Sequence, residues 1–273
     1  MKKVIGIAFV LVLALGLLTA CGGGDADAEL TPIKVGASVT PHAEILEAAK
    51  ADLAEAGYDL QIVEFEDYVL PNMSLENGEL DANYFQHSAY LADFNAENDT
   101  NIVEEVAKIH YEPFGIYAGK VSSLDALTEG SKIAVPNDST NEARALLLLE
   151  QEGLIKLNKD AGQQATIRDI TENSKNLEIV ELEAATIPRV LGEVDLAVIN
   201  GNYAISAGMS IKDAVAIEAK DSRAVEDYYG NVLCVKAGNE NREDIKALVK
   251  ALQSETVKKF MEDTYDGAVV PCF

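Results

Sequence analysis

Basic residues are scarce in this chain of 273 residues. It contains 22 Lys and Arg against 46 Asp and Glu, which gives a formal net charge of −24. Nucleic acids are bound through clustered Lys and Arg, and anionic lipid headgroups attract the same side chains. The charge balance therefore argues against nucleic acid and against electrostatic docking on a membrane surface, and it favours only solubility.

The usual sequence signs of catalysis and metal binding are also missing. The three histidines, His42, His87 and His110, lie at no metal-ligand spacing. There is no G-x-S-x-G elbow, no H-E-x-x-H helix and no glycine-rich phosphate loop. The sequence thus predicts no catalytic residue, no metal and no cofactor, and an enzyme on this chain is an alternative with little support.

Cysteine occurs only three times, and one of the three follows a secretory signal. Lys2 and Lys3 precede an apolar run from Val4 to Leu18, which is short for a membrane span. The run closes with Leu18-Thr19-Ala20-Cys21, which resembles the bacterial lipobox, where the signal is cleaved before a cysteine that receives lipid. We therefore predict a signal peptide at 1–20.

Lipidation at Cys21 would hold the mature protein on the extracytoplasmic face of the cell membrane, at the cell surface or in the periplasm, without a transmembrane helix. The segment 21–31 would then be a flexible tether. The other cysteines, Cys234 and Cys272, are in a compartment that permits disulfides. They are a candidate pair, and Cys234 is equally a candidate for a small buried hydrophobe.

From Pro32 onward, strand patterns and helix patterns alternate. This order predicts an α/β fold with mixed, mostly parallel sheets and flanking helices. Gly-Glu-Leu-Asp-Ala-Asn at 78–83 and Gly-Glu-Val-Asp-Leu-Ala at 192–197 occupy equivalent helix-to-strand junctions, which indicates two similar lobes. We predict a discontinuous first lobe at 32–116 and 230–273 and a second lobe at 117–229, with a ligand cleft between them.

The stretch from Lys132 to Glu150 predicts a strand, a loop and a helix. Ser139 is the expected N-cap, and Glu142 completes a capping box. The free N–H groups of such a helix start attract anions. Arg144, one turn further on, presents a planar fork that can hold a carboxylate by two parallel hydrogen bonds. We interpret it as an anchor for a ligand carboxylate; the alternative is a surface arginine paired with an acid.

Five ordered motifs carry a resemblance that covers the chain from about Ile33 to its end. They are D-Y-V-L-P-N at 67–72, D-A-N-Y-F-Q-H at 81–87, V-P-N-D-S-T-N-E-A-R at 135–144, I-V-E-L-E-A at 179–184 and A-V-I-N at 197–200. Together with the lipobox they resemble the methionine-binding lipoproteins of the NlpA/MetQ family. The resemblance implies a two-lobed type 2 periplasmic-binding-protein fold. It also implies that methionine is delivered to an ABC importer, made of a membrane permease with its ATPase subunits.

The resemblance also implies a set of ligand-binding residues. Aromatic and imidazole side chains would surround the thioether, Arg144 would hold the carboxylate, and two amides would serve the ammonium and carboxylate groups. The implied residues are Tyr68, Phe85, His87, Arg144, Asn200 and Asn231. Glu142-Ala143, Tyr229-Gly230 and the final Pro271-Cys272-Phe273 depart from the family pattern.

Three other functions stay open at this point. The same scaffold is suited to another amino acid or to a short methionine peptide. A surface lipoprotein with a non-transport role would keep the anchor and the fold without using the cleft. L- versus D-methionine preference and the oligomeric state are not encoded in these patterns.

Overall fold

The computed structural model describes residues 30–219 and 228–273. The predicted signal peptide and Cys21 lie outside these residues, as does all but the end of the predicted tether. In the part of the chain that is described, no helix combines the length and the apolar character needed to cross a bilayer.

Thirteen strands and seven helices with regular α geometry are described, joined by short 3₁₀ turns. The strands are β1 Thr31–Ser38, β2 Tyr58–Phe65, β3 Ala82–His87, β4 Ile102–Tyr111, β5 Gly115–Ala118, β6 Lys132–Pro136, β7 Lys156–Leu157, β8 Ile170–Glu172, β9 Glu178–Leu182, β10 Leu196–Ile199, β11 Ala216–Ile217, β12 Gly230–Lys236 and β13 Val270–Pro271. The helices are α1 Glu44–Glu55, α2 Leu70–Glu76, α3 Ser88–Asn98, α4 Ser139–Gln151, α5 Gly201–Ser206, α6 Glu243–Leu252 and α7 Glu255–Tyr265.

The first sheet has the strand order β13-β4-β12-β3-β1-β2. One face packs against α1, α6 and α7, through side chains such as Leu46, Leu248 and Met261. The other face packs against α2 and α3, where Leu75 and Leu91 are buried. Because both faces are covered, all six residues of β3 are buried, including the polar Asn83, Gln86 and His87.

The second sheet has the order β11-β5-β10-β6-β9. Ile133 and Val135 of β6 face α4 and its buried leucines. Ala134, between them, faces the opposite layer with Ile187. Successive side chains of a strand point to opposite faces, so this sheet is also a middle layer between two helical layers.

The sheets are mixed, as predicted. They contain more antiparallel strand pairs than the prediction of mostly parallel sheets implies. β1 is parallel to β2 and β3, and β6 is parallel to β9 and β10. β12 is antiparallel to β3 and β4, and β5 is antiparallel to β10 and β11. The prediction followed the strand–helix alternation, which implies parallel neighbours, and it missed the strands that enter or leave a sheet where the chain passes between lobes.

The chain changes sheets twice, once between Tyr111 and Gly115 and once between Ile217 and Gly230. We call these two connections the first crossing and the second crossing. The division of the chain at 116/117 and 229/230 stays a prediction.

The two copies of the Gly-Glu-x-Asp motif do lie at equivalent positions. Asp81 precedes β3, and its carboxylate accepts a hydrogen bond of 2.9 Å from the backbone N–H of Lys34 in β1. Asp195 precedes β10 and accepts one of 2.7 Å from the backbone N–H of Lys132 in β6. In both places the aspartate N–H donates back to the carbonyl of the same lysine, over 2.8 Å and 2.9 Å. Each motif therefore clamps the start of one strand to its parallel partner or neighbour.

The start of α4 differs from the prediction. Asp138, and not Ser139, is the N-cap, and its carboxylate accepts a hydrogen bond of 3.0 Å from the Asn141 N–H. Ser139 is the first helical residue and donates to Asp93 instead. Glu142 accepts from the Ile167 N–H over 3.0 Å. The predicted capping box was wrong because Asp138, one residue earlier, caps the helix through the Asn141 N–H.

Cys234 is fully buried in β12, and Cys272 is partly buried near the C-terminus. No disulfide joins them. Of the two alternatives left open by the sequence, the buried small hydrophobe is the one that the structure shows for Cys234.

Candidate ligand-binding site

The six side chains implied by the resemblance come together around one cavity between the two sheets. The cavity has an empty volume of about 360 Å³, part of which is open to solvent. Tyr68, Phe85, His87, Arg144, Asn200 and Asn231 all line it, as do seven residues that were not predicted: His42, Gln86, Tyr90, Glu112, Asn141, Gly201 and Asn202.

Arg144 lies in the second turn of α4 and is only 4% exposed. Its Nε donates to Glu218 Oε2 over 2.9 Å, and its Nη2 donates to Glu218 Oε1 and, over 2.8 Å, to the carbonyl of Glu112. The two-nitrogen edge that we expected to face a ligand is therefore taken by Glu218. Nη1 is the guanidinium nitrogen that has no hydrogen-bond acceptor among the described residues.

The charge of Arg144 is stabilised despite its burial. Burial lowers the pKa of the guanidinium, but the Glu218 carboxylate more than offsets this and raises it above its ordinary value. The guanidinium carbon also lies 4.3 Å from the ring centroids of both Phe114 and Tyr229. An arginine between two aromatic rings has little freedom to turn, so the direction of Nη1 is fixed.

His87, Asn141 and Asn200 form a hydrogen-bonded chain across the cavity. His87 Nδ1 accepts from the Tyr90 N–H over 3.0 Å, so Nε2 carries the proton and donates to Asn141 Oδ1 over 3.2 Å. Burial lowers the pKa of His87 to about 3, which keeps the ring neutral. Asn200 Nδ2 donates to the same Asn141 oxygen over 2.9 Å. This leaves Asn200 Oδ1 buried without a hydrogen-bond donor among the described residues.

Glu112 gives the cavity a carboxylate that the sequence analysis did not anticipate. It lies in the first crossing and is 6% exposed. Burial raises its pKa, while His42, the Asn202 backbone N–H and Arg144 act in the opposite direction. An alanine Cβ at Gly201 would lie only 2.6 Å from Glu112 Oε2, so a residue without a side chain is needed beside this carboxylate.

Two histidines lie against the Glu112 carboxylate. His110 Nε2 lies 2.8 Å from Glu112 Oε1, and His110 Nδ1 is hydrogen-bonded to Tyr84. His42 Nε2 lies 3.6 Å from the same carboxylate oxygen and 3.0 Å from Asn231 Oδ1. Burial lowers the pKa of His42 to about 4 and that of His110 to about 3. Glu112 thus has neutral imidazoles, and not a lysine or arginine side chain, as its nearest basic neighbours.

One ligand atom from each of His42, His110 and Glu112 lies within 4.8 Å of the others, a donor set that Zn²⁺ accepts. Sequence spacing did not reveal this cluster because His42 is far from His110 and Glu112 in the sequence. The hydrogen bond between His110 and Glu112 already uses two of the three atoms, and the absence of a metal stays a prediction.

The opposite end of the cavity is aromatic. The rings of Tyr68 and Phe85 have centroids 6.0 Å apart, and those of Tyr68 and Tyr90 are 5.6 Å apart. Met73 and Phe94 pack around this group. The cavity therefore has a polar, charged end and an apolar, polarizable end.

Some of the unpredicted residues had a sequence signal and others had none. Asn141 lies inside the V-P-N-D-S-T-N-E-A-R motif, and Asn202 follows A-V-I-N by two residues. Glu112 and Glu218 lie outside the five motifs. Only the pairing of distant strands brings these two carboxylates beside Arg144.

The fold and the cavity define the class of protein. Two mixed α/β lobes, joined by two crossings with a cavity between them, are the architecture of extracytoplasmic substrate-binding proteins, which close on a ligand by a hinge motion.

Comparison with known proteins gives the family. The NlpA lipoprotein family model matches residues 33–273. The chain is 40% identical to the "D-methionine-binding lipoprotein MetQ" of Salmonella typhimurium, over 94% of each chain. The chain belongs to the NlpA lipoprotein family.

Two solved structures support the same fold. A putative lipoprotein from Ruminococcus gnavus has a TM-score of 0.87 and 57% identity, covering 89% of this chain and 100% of that one. A nutrient-binding protein from Burkholderia cenocepacia bound to methionine has a TM-score of 0.84 and 43% identity, covering 88% and 100%. The predicted two-lobed periplasmic-binding-protein fold is confirmed.

Proposed function

We propose that this protein is a lipid-anchored extracytoplasmic receptor that binds methionine between its lobes and delivers it to the permease of an ABC importer. The observation that supports this proposal is a set of three polar groups at one end of the cavity that can each bind part of a free amino acid. Among the described residues, Asn200 Oδ1 is a buried acceptor without a donor, the Glu112 carboxylate is paired with no lysine or arginine side chain, and Arg144 Nη1 has no acceptor.

A free amino acid supplies the missing partners. Its ammonium group donates up to three hydrogen bonds, which suits the Glu112 carboxylate and the Asn200 oxygen. Its carboxylate suits Arg144 Nη1 and the amide of Asn231, whose Oδ1 is turned toward His42. Buried polar groups that would otherwise be unpaired make such a site selective for ligands carrying both charges.

The side-chain end of the cavity supports a thioether. Sulfur makes favourable contacts with aromatic rings at about 5 Å, and Tyr68, Phe85 and Tyr90 offer three rings. The family relatives with methionine in their names or in their structures support the same ligand. Another amino acid or a short methionine peptide remains the alternative ligand. The proposed role requires no bond to be made or broken, so the protein acts as a receptor and not as an enzyme.

The anchor is a separate part of the proposal. Wild-type protein expressed with its leader in cells fed a labelled fatty acid should carry the label, and a Cys21→Ser variant should not. Wild-type protein without label, or label retained in Cys21→Ser, would rule out lipidation at this residue.

Ligand identity is tested by two measurements on the same preparation. Mass spectrometry of protein purified without added ligand should detect methionine, and calorimetry after unfolding and refolding should show one methionine bound per chain. A different co-purified amino acid or a dipeptide would replace methionine in the proposal. Binding of no amino acid and no methionine peptide would favour the non-transport lipoprotein.

A further inference from the structure

Glu218 lies where the two lobes are connected. It follows β11 directly and is the first residue of the second crossing. Its backbone N–H donates over 3.0 Å to the carbonyl of Phe114, which belongs to the first crossing. One residue therefore holds the two connections side by side.

The Glu218 carboxylate collects four hydrogen bonds at this point. Oε2 accepts from Arg144 Nε over 2.9 Å. Oε1 accepts from Arg144 Nη2, from the Tyr111 hydroxyl and, over 2.7 Å, from the Phe114 N–H. The side chain is 10% exposed. Although burial raises the pKa of Glu218, Arg144 and the other donors lower it below its ordinary value, so the group is a carboxylate.

Arg144 is fixed by the same set of residues. Nη2 donates to the carbonyl of Glu112 in the first crossing, over 2.8 Å. The guanidinium lies between the rings of Phe114, from the first crossing, and Tyr229, from the second. Within the part of the chain that the structure describes, Nε and Nη2 are thus occupied, and Nη1 is the guanidinium nitrogen left for a ligand.

We propose that Glu218 is a positioning residue for ligand recognition: by holding the Nε/Nη2 edge of Arg144 it aims Nη1 at the ligand carboxylate and makes the site discriminate a carboxylate from an uncharged carboxamide. This inference rests on the proposed function, since it assumes that Arg144 meets the ligand carboxylate. It assigns a role to a residue outside the cavity lining.

Two physical effects of removing the charge of Glu218 oppose each other. Glutamine has one acceptor oxygen, so one of the buried Arg144 donors loses its partner and the guanidinium turns toward a new one. Removing a carboxylate near the ligand also relieves repulsion with the ligand carboxylate. We expect the loss of orientation to dominate because Glu218 and Arg144 share a buried network, where coupling between residues is strong.

The test compares L-methionine with L-methioninamide by calorimetry. Wild-type protein should prefer methionine. In Glu218→Gln the preference should shrink by roughly tenfold, within the range found for residues of one hydrogen-bond network. Tyr111→Phe removes one hydrogen bond to Glu218 and leaves the ion pair, so it should shrink the preference by a smaller factor. The control is Glu178→Gln, at an exposed carboxylate paired with Lys132 over 3.0 Å, which should leave both affinities unchanged.

The outcomes separate the inference from the proposed function. A folded Glu218→Gln protein that is less stable but keeps the wild-type preference would make Glu218 a structural residue and overturn the inference. Tighter methionine binding by Glu218→Gln would also overturn it, because repulsion would then be the larger effect. If Glu218→Gln does not fold, an unchanged preference in Tyr111→Phe is the result that decides against positioning. Wild-type protein that binds neither ligand would overturn the proposed function itself.

Discussion

The hydroxyl of Tyr68 donates a hydrogen bond of 2.6 Å to Oδ1 of Asn202. Tyr68 follows β2 on the first lobe, and Asn202 lies in α5 beside the second sheet, so this bond joins the lobes across the cavity. The ring of Tyr68 also lies 5.0 Å from that of Tyr203. The closed arrangement of the lobes therefore depends in part on a residue that also forms the aromatic wall.

Replacing Tyr68 by phenylalanine should weaken ligand binding without removing the wall. The loss of one hydrogen bond corresponds to about 0.5–1.5 kcal/mol. We expect it as faster dissociation, because the closed state is less favoured. Stopped-flow or surface plasmon resonance measures this rate. Tyr58→Phe is the control, since Tyr58 lines a groove between α1 and α6; equal effects of both changes would contradict the lobe-joining role.

Arg144→Ala should reduce methionine affinity by roughly 2–5 kcal/mol, because it removes a buried charge partner of the ligand. It also leaves Glu218 unpaired, so folding must be checked by circular dichroism. Calorimetry gives the affinity. Wild-type affinity in a folded Arg144→Ala protein would remove this residue from the proposed site.

Methionine affinity should fall as the pH is lowered through the pKa of Glu112. Burial raises that pKa in the free protein, and only the carboxylate form pairs with an ammonium group. Methionine should therefore bind most tightly above the raised pKa of Glu112 and more weakly below it. Calorimetry between pH 7.5 and 4.5 tests this.

Two controls isolate Glu112 in that experiment. Glu112→Gln should bind more weakly and lose most of the pH dependence. N-acetylmethionine, which lacks the ammonium group, should show no preference for the high-pH form. A wild-type pH profile retained in Glu112→Gln would assign the titration to another group.

The protein should lose stability between pH 6.5 and about 4. The pKa of His42 is lowered to about 4 and those of His87 and His110 to about 3, in each case chiefly by burial. The unfolded chain protonates its histidines near pH 6.5, whereas the folded chain does not. The free energy of unfolding therefore falls by about 1.4 kcal/mol per histidine for each pH unit below 6.5. The raised pKa of Glu112 acts with the opposite sign and reduces the slope.

Urea unfolding at pH 7 and pH 5 measures this slope. His110→Gln, which keeps a polar side chain between Tyr84 and Glu112, should reduce it. An unchanged slope in this variant would show that His110 is protonated in the folded protein at these pH values.

Gly36→Ala should destabilise the first lobe. An added Cβ would lie 2.5 Å from Asn83 Oδ1 and 2.7 Å from Leu80 Cδ1, at the point where β1 pairs with β3. Overpacking of this kind costs about 1–3 kcal/mol. The matched control is Gly192→Ala, where a Cβ would meet no atom within 4 Å. Thermal unfolding should give a lower melting temperature for Gly36→Ala than for Gly192→Ala. Equal melting temperatures would show that the backbone of β1 shifts to make room for the added Cβ.

Much of the local structure follows from the sequence alone. The apolar runs at Ile133–Val135 and 196–199 become strands, and the amphipathic patterns at the end of the chain become α6 and α7. Local periodicity is enough for such elements because it records which face of an element is buried. The motifs that carry the family resemblance also predicted six residues that line one cavity.

Local patterns could not decide how these elements meet. The N-cap of α4 was misplaced by one residue because Asp138 and Ser139 are both good caps, and only the positions of Asn141 and Asp93 distinguish them. The antiparallel strands β5 and β12 were missed as such, since strand direction is set by the path of the chain between lobes.

The sequence by itself determined the strands, the helices and the family of this protein, together with six of the thirteen residues that line its cavity. The tertiary structure alone decided that Glu218 occupies the edge of Arg144 that was predicted to hold a ligand carboxylate, and that two neutral histidines contact Glu112. Glu218 and Arg144 are 74 residues apart, and His42 comes from a segment distant from that of His110 and Glu112. Charge pairing over such separations depends on which strands lie side by side, and no local period in the sequence records that.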